Sequence, residues 1–131
     1  MKTFILSLAF MVIGSFLGVA QNTQKETSFK TASKIEAYYF HFNARCVTCK
    51  AVEAEAKADI ESLYPGRATF KAINLDDASS KTIAVRLKVS GQTLLFVKGD
   101  KQINLTNEGF MYARTNPAKL KSIIKQKVDG L

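Results

Sequence analysis

The sequence predicts one α/β domain, a mixed four-stranded sheet flanked by helices in the order βαβαββα. Three observations carry that expectation. Ile35 to Phe42 is a short, aromatic and almost continuously apolar run, the kind that forms a strand buried on both faces. From Cys46 onward the hydrophobic period changes from that of a strand to that of a helix. Two later strand-like runs, Thr93 to Val97 and Gln102 to Leu105, flank Gly99-Asp100, which suits a two-residue hairpin turn and makes the last two strands antiparallel. With 131 residues, 47% of them hydrophobic, the chain can bury one core and is short for two domains.

The remaining elements follow in order. In the helix that begins at Cys46, Val52, Ala56, Ile60 and Leu63 form an apolar stripe, while Glu53, Lys57 and Glu61 alternate charge on another face. Tyr64-Pro65-Gly66 stops it. A second strand spans Ala68 to Leu75, after which Asp76-Asp77 and Ser79-Ser80 offer caps for a helix reaching about Lys88. Val89-Ser90-Gly91 ends that helix. Asn107 to Thr115 fits neither period. Asn116-Pro117 then supplies an N-cap and a proline at the first helical position, with Leu120, Ile123, Ile124 and Val128 as the stripe of a final helix. There is no internal repeat.

The first twenty residues stand apart. Lys2 forms a positive start, an apolar run extends from Phe4 to Leu17, and Gly18-Val19-Ala20 places small residues before Gln21. We read residues 1–20 as a cleaved signal peptide, because the apolar run is shorter than the roughly 20 residues that span a bilayer and polar Gln21 to Glu26 follows at once. The domain is therefore expected to be exported to a periplasmic or extracellular space, without a stable membrane span after cleavage. Residues 21–33 are polar and aperiodic and read as a tether, leaving 34–131 as the domain.

The net charge of +8 is not concentrated. Lys119, Lys121, Lys125 and Lys127 cluster near the C-terminus, but no aromatic residues interleave with them in sequence. They read as a solvated helix face at the negative end of the helix dipole rather than a nucleic-acid site. Glu53, Glu55, Asp59 and Glu61 are spread around a helix by their spacing, which reads as solvated surface and not as a paired-carboxylate site. No Ser/His/Asp set or phosphate-binding glycine loop can be assembled. A monomer is the expected state.

The chain has two cysteines, Cys46 and Cys49, in one C-x-x-C. A bridge enclosing two residues removes little loop entropy from the unfolded chain, so structural stapling is a poor reason for it. The pair falls where a buried strand gives way to a helix. There the unsatisfied N–H groups and the positive end of the helix dipole favour a thiolate on Cys46, with Arg45 as a neighbouring cation pushing the same way. Cys49, one turn further in, is placed to resolve a mixed disulfide. A zinc site would need four ligands, and His41 is the one other strong soft-metal candidate. The leading reading is thus a thiol-disulfide oxidoreductase or electron relay acting on a protein disulfide or dithiol partner or reductase, with no bound cofactor. The alternatives are capture of a soft metal or trivalent arsenic by the same pair, and a partner-binding module with an inert disulfide.

Tyr38 to Lys50, Asn74-Leu75-Asp76 and Val89 to Val97 followed by Lys98-Gly99-Asp100 resemble the thioredoxin family in order and spacing. The resemblance covers most of Lys34 to Val128 and implies a thioredoxin-like fold, with Cys46 as exposed nucleophile, Cys49 as resolving cysteine and Lys50 as the basic residue that often follows. More narrowly, Arg-Cys-Val-Thr-Cys-Lys at 45 to 50 and Leu-Thr-Asn-Glu-Gly-Phe-Met-Tyr-Ala-Arg at 105 to 114 resemble a bacterial secreted family labelled nitrophenyl compound nitroreductase subunit, ArsF type. Nitro reduction draws electrons from a flavin or metal, and the chain has no cofactor fingerprint, so the implied role is electron relay to a partner.

Three positions depart from the thioredoxin pattern. Arg45 stands where tryptophan usually precedes the first cysteine, so charge replaces an aromatic docking surface. Phe40 stands where a buried acid usually lies six residues before it. His41 is adjacent, but strand alternation sends it to the opposite sheet face, where a packed or rim histidine is expected. Gln92 stands before Thr93 where a cis-proline usually faces the sulfurs. Because a cis bond at a non-proline costs about 3–4 kcal/mol, a trans loop is expected there, bringing one extra N–H near the disulfide. Phe110, Met111 and Tyr112 are expected either to pack on the core or to form an exposed patch.

Overall fold

The computed structural model describes residues 33–131. The expected leader, residues 1–20, and all but the last residue of the expected tether, 21–33, lie outside the described residues. Among the described residues no helix is long and apolar enough to cross a membrane.

Strand β1 (Ile35–His41) lies inside a four-stranded sheet of order β2-β1-β3-β4. It runs parallel to β2 (Ala68–Asn74), with Ile35 opposite Ala68 and His41 opposite Asn74. It runs antiparallel to β3 (Thr93–Lys98), with Phe40 opposite Thr93. The hairpin closes through Gly99, whose φ of +65° is a conformation glycine adopts without strain, and β4 (Lys101–Asn104) pairs antiparallel with β3. Helices α1 (Val47–Leu63), α2 (Lys81–Arg86), α3 (Thr106–Tyr112) and α4 (Pro117–Asp129) complete the domain, with one 3-10 turn at Ala78–Ser80.

The aromatic run of β1 is continuous because both its faces are covered. Ile35, Ala37 and Tyr39 pack with Val52, Ala56 and Ile60 of α1 and Leu120, Ile124 and Val128 of α4. Tyr38 and Phe40 face the other way, onto Ala84 of α2 and onto Leu95 and Val97. Each large side chain buried here adds about 1.5–3 kcal/mol relative to exposure. This is the α/β thioredoxin-like fold that the sequence predicts, enlarged by one helix.

That helix is α3, in a segment whose sequence fits neither period. Gly109 lowers its intrinsic helix propensity, yet close tertiary contact favours a glycine there. A Cβ at Gly109 would lie 3.0 Å from Val52 Cγ1 and 3.3 Å from Leu94 Cδ2. Thr106 stitches the start of α3 to the sheet, its Oγ1 accepting the Leu94 N–H at 2.9 Å. Leu105, expected to end β4, is 1% exposed and forms the corner instead. The helix expected to reach Lys88 stops at Arg86, because Lys88 adopts φ +57° and the Val89 N–H returns to the Ala84 carbonyl at 2.8 Å.

Candidate functional site

Strand β1 delivers the chain to the cysteines through a short loop that is fastened on one side. Asp76 Oδ2 accepts the Asn43 N–H at 2.6 Å, Asn74 Nδ2 donates to Asn43 Oδ1 at 2.7 Å, and the Leu75 N–H reaches the His41 carbonyl at 2.7 Å. Asp76 therefore anchors the approach to the site rather than capping the following helix. Ser79 and Ser80 make no side-chain cap either, and Ser80 Oγ donates to the Asp77 carbonyl.

Cys46 is the N-cap of α1, with φ −79° and ψ 165°, and its sulfur accepts the Cys49 N–H at 3.1 Å. It is joined to Cys49 as a disulfide with Cα atoms 5.1 Å apart. Cys46 is exposed, whereas Cys49 is 3% exposed. One sulfur thus meets solvent at the positive end of a 17-residue helix, where an N–H stabilises negative charge on it, and the other sits beneath it. The arrangement can form a mixed disulfide through the first and resolve it through the second.

Arg45 is not the free cation expected from its position. Its guanidinium pairs with Glu53, one turn beyond Cys49 on α1, and lies over the Tyr39 ring at 5.9 Å. The two charges largely cancel, so Arg45 pushes Cys46 toward thiolate less than a bare cation would, and it does not present an open positive surface to a partner. Two buried polar atoms in this cluster have no partner, Tyr39 Oη and Arg45 Nε. Burial pushes the Tyr39 hydroxyl pKa up, with Arg45 pulling it down and Glu53 pushing it further up.

The loop opposite the sulfurs is trans, as no cis peptide bond occurs among the described residues. The contact it makes differs from the expected backbone N–H: Gln92 Oε1 lies 3.6 Å from Cys49 Sγ. Buried Thr93 does not face the pair with its hydroxyl, which donates to the Gly91 carbonyl at 2.9 Å and stiffens the turn that presents Gln92. Lys50 is exposed on the first turn of α1, its N–H bonded to the Cys46 carbonyl at 3.1 Å.

Phe40 and His41 lie on opposite sheet faces as expected, Phe40 in the α2-side core and the half-buried His41 ring stacked on Tyr39 at 6.1 Å. No group of three or more His, Cys, Asp or Glu capable of holding a metal occurs among the described residues, so His41 does not complete a ligand set with the cysteines. The 110–112 triplet divides: Phe110 and Tyr112 pack against the core, and Met111 is 58% exposed.

The acidic residues of α1 are not uniformly solvated. Asp59 is 6% exposed with Oδ2 unpartnered. Burial raises its pKa to about 6, opposed by Lys121 and reinforced by Glu55. The lysines of α4 are partly engaged too: Lys119 lies over the Tyr112 ring at 4.5 Å and Lys125 pairs with Asp129. An aromatic does therefore meet this lysine cluster, brought by α3 rather than by local sequence.

Sequence reasoning missed Asn43, Asn74 as a partner of Asn43, the burial of Asp59 and the pairing of Glu53. The signal for the first two was the Asn-x-Asp at 74 to 76, at the end of a strand parallel to the one that leads into the cysteines.

No protein-family model and no curated protein matches the chain. Solved structures do. The germline-specific thioredoxin Deadhead of Drosophila melanogaster aligns at 21% identity and a TM-score of 0.47, covering 74% of this chain and 85% of that one. Trxlp of Edwardsiella tarda aligns at 18% and 0.48, covering 75% and 91%. A thioredoxin of Thermus thermophilus aligns at 18% and 0.45, covering 75% and 80%. The fold assignment rests on the strand order, the strand directions and the helix-start disulfide described above.

Proposed function

We propose that the protein is an exported thiol-disulfide oxidoreductase or electron relay working through Cys46 and Cys49. The observation that supports this most is the asymmetry of the pair, an exposed N-cap sulfur accepting an N–H and a buried sulfur one turn behind. In the reduced protein the Cys46 thiolate attacks a sulfur of a partner disulfide. A Cys46–partner bond forms and the partner's other sulfur leaves as thiolate. Cys49 loses its proton and attacks Cys46 Sγ, which releases the partner's second thiolate and restores the Cys46–Cys49 disulfide, so two electrons pass to the partner. With a reduced partner and an oxidised protein the same steps run backward.

Export rests on the signal-peptide pattern of residues 1–20, and a periplasmic or extracellular location suits a pair kept in exchange with disulfides. The narrower ArsF-type resemblance fits a relay that hands electrons to a cofactor-bearing reductase. A dithiol alone offers half the ligands of a tetrahedral zinc site, which favours exchange over zinc binding. The test is Cys49→Ser, which leaves Cys46 without its resolving thiol. It is expected to accumulate a covalent complex through Cys46 that dithiothreitol releases. No complex from cell extract, together with no turnover of a model disulfide by the native protein, would refute the reading.

A further inference from the structure

Among the described residues, the side-chain group within hydrogen-bond reach of the buried sulfur is the Gln92 carboxamide, with Oε1 3.6 Å from Cys49 Sγ. A disulfide sulfur carries no hydrogen, so in the oxidised protein this oxygen faces a sulfur that cannot donate to it. Reduction supplies the missing hydrogen. We propose that Gln92 holds the Cys49 proton in the dithiol state and thereby makes the disulfide easier to reduce, a role that rests on the thiol-exchange reading above.

A partner dithiol gives up two electrons and two protons and closes to a disulfide, while the Cys46–Cys49 bond breaks. One proton remains on Cys49 Sγ, donated to Gln92 Oε1. The other goes to solvent, because Cys46 stays as thiolate on the helix N-terminus and accepts the Cys49 N–H. Apart from the Cys46 thiolate itself, the neighbouring side chains among the described residues offer no other acceptor. Cys49 is 3% exposed, which denies it water, Phe40 lies in the core on the α2 side with no accepting atom, and the Thr93 hydroxyl donates to Gly91. Arg45 and Glu53 are paired with each other. Without Gln92 the buried S–H would be left with the Cys46 thiolate alone, and the dithiol would lose up to the net value of one hydrogen bond.

Two measurements on the full-length chain test this. The first is the equilibrium with reduced and oxidised glutathione. Gln92→Leu is expected to move it toward the disulfide by about three- to tenfold, equal to about 15–30 mV for a two-electron couple. The second uses Cys46→Ser, which leaves Cys49 as the single thiol. Its Raman S–H stretch should sit at a hydrogen-bonded frequency and rise when Gln92→Leu is added. Gln92→Met, which keeps the length and loses the acceptor, should give the same shifts and serves if the leucine variant does not fold. An unchanged S–H band overturns the proposal, and so does an equilibrium unchanged or moved toward the dithiol. Because the band needs no partner, it separates failure of this proposal from failure of the exchange reading, which the Cys49→Ser trap tests.

Discussion

Replacing Asp59 with asparagine is expected to stabilise the protein at neutral pH and to leave it nearly unchanged near pH 4. Asp59 is 6% exposed, its Oδ2 has no hydrogen-bond partner, and burial moves its pKa from 3.8 to about 6 against the pull of Lys121. The folded protein therefore keeps this proton up to about pH 6, while the unfolded chain releases it near pH 4. Between those values the folded state binds more protons, so the stability present below pH 4 is lost as pH rises through about 6. A shift of about two units corresponds to up to about 3 kcal/mol. Urea unfolding of the oxidised native and Asp59→Asn proteins, followed from pH 4 to 8, reads the gap directly. It should open between pH 4 and 6 in favour of the variant and stay constant above pH 7. A gap independent of pH, or a native protein that is the more stable one at pH 7.5, would refute the reasoning.

The Arg45–Glu53 pair predicts shifts of opposite sign in Cys46 reactivity. Glu53→Gln frees the guanidinium and should lower the pH midpoint of Cys46 alkylation in the reduced protein, whereas Arg45→Gln leaves the carboxylate and should raise it, each by up to about one pH unit. Midpoints that move together, or not at all, would show that the charges do not act on the sulfur. Gly109→Ala improves intrinsic helix propensity by about 1 kcal/mol, but its Cβ would lie 3.0 Å from Val52 Cγ1 and 3.3 Å from Leu94 Cδ2, both on fully buried side chains. Overpacking of about 1–3 kcal/mol outweighs the gain, so the urea midpoint should fall; a midpoint at or above that of the native protein would mean that α3 has room to move away.

Much of the fold was legible because its signals are local. The continuous aromatic run of β1 shows a strand covered on both sides, the glycine of the hairpin shows the turn, and Asn116-Pro117 marks the start of α4, where the Asn116 side chain accepts the Lys119 N–H at 3.1 Å. α3 was not legible, since its glycine argues against a helix in sequence and is favoured only by the close approach to Val52 and Leu94. The same division runs through the site. The placement of Cys46 at a helix start follows from the change of hydrophobic period. What neighbours do to it does not: Arg45 reads as a free cation until α1 presents Glu53, and Asp76 reads as a helix cap until the parallel pairing of β1 and β2 brings it to Asn43.

By itself, the sequence determined the α/β class, the strand and helix order around the disulfide, and which sulfur stands at the helix N-terminus, because hydrophobic period, turn residues and capping act over a few neighbouring residues. Tertiary structure decided the rest: Cys49 buried beneath Cys46, Gln92 Oε1 turned toward its sulfur from 43 positions away, and Asp59 sealed from water with one carboxylate oxygen unpartnered. Charge, burial and hydrogen bonding depend on what the folded chain brings alongside a group, and residues distant in sequence leave no local pattern to announce it.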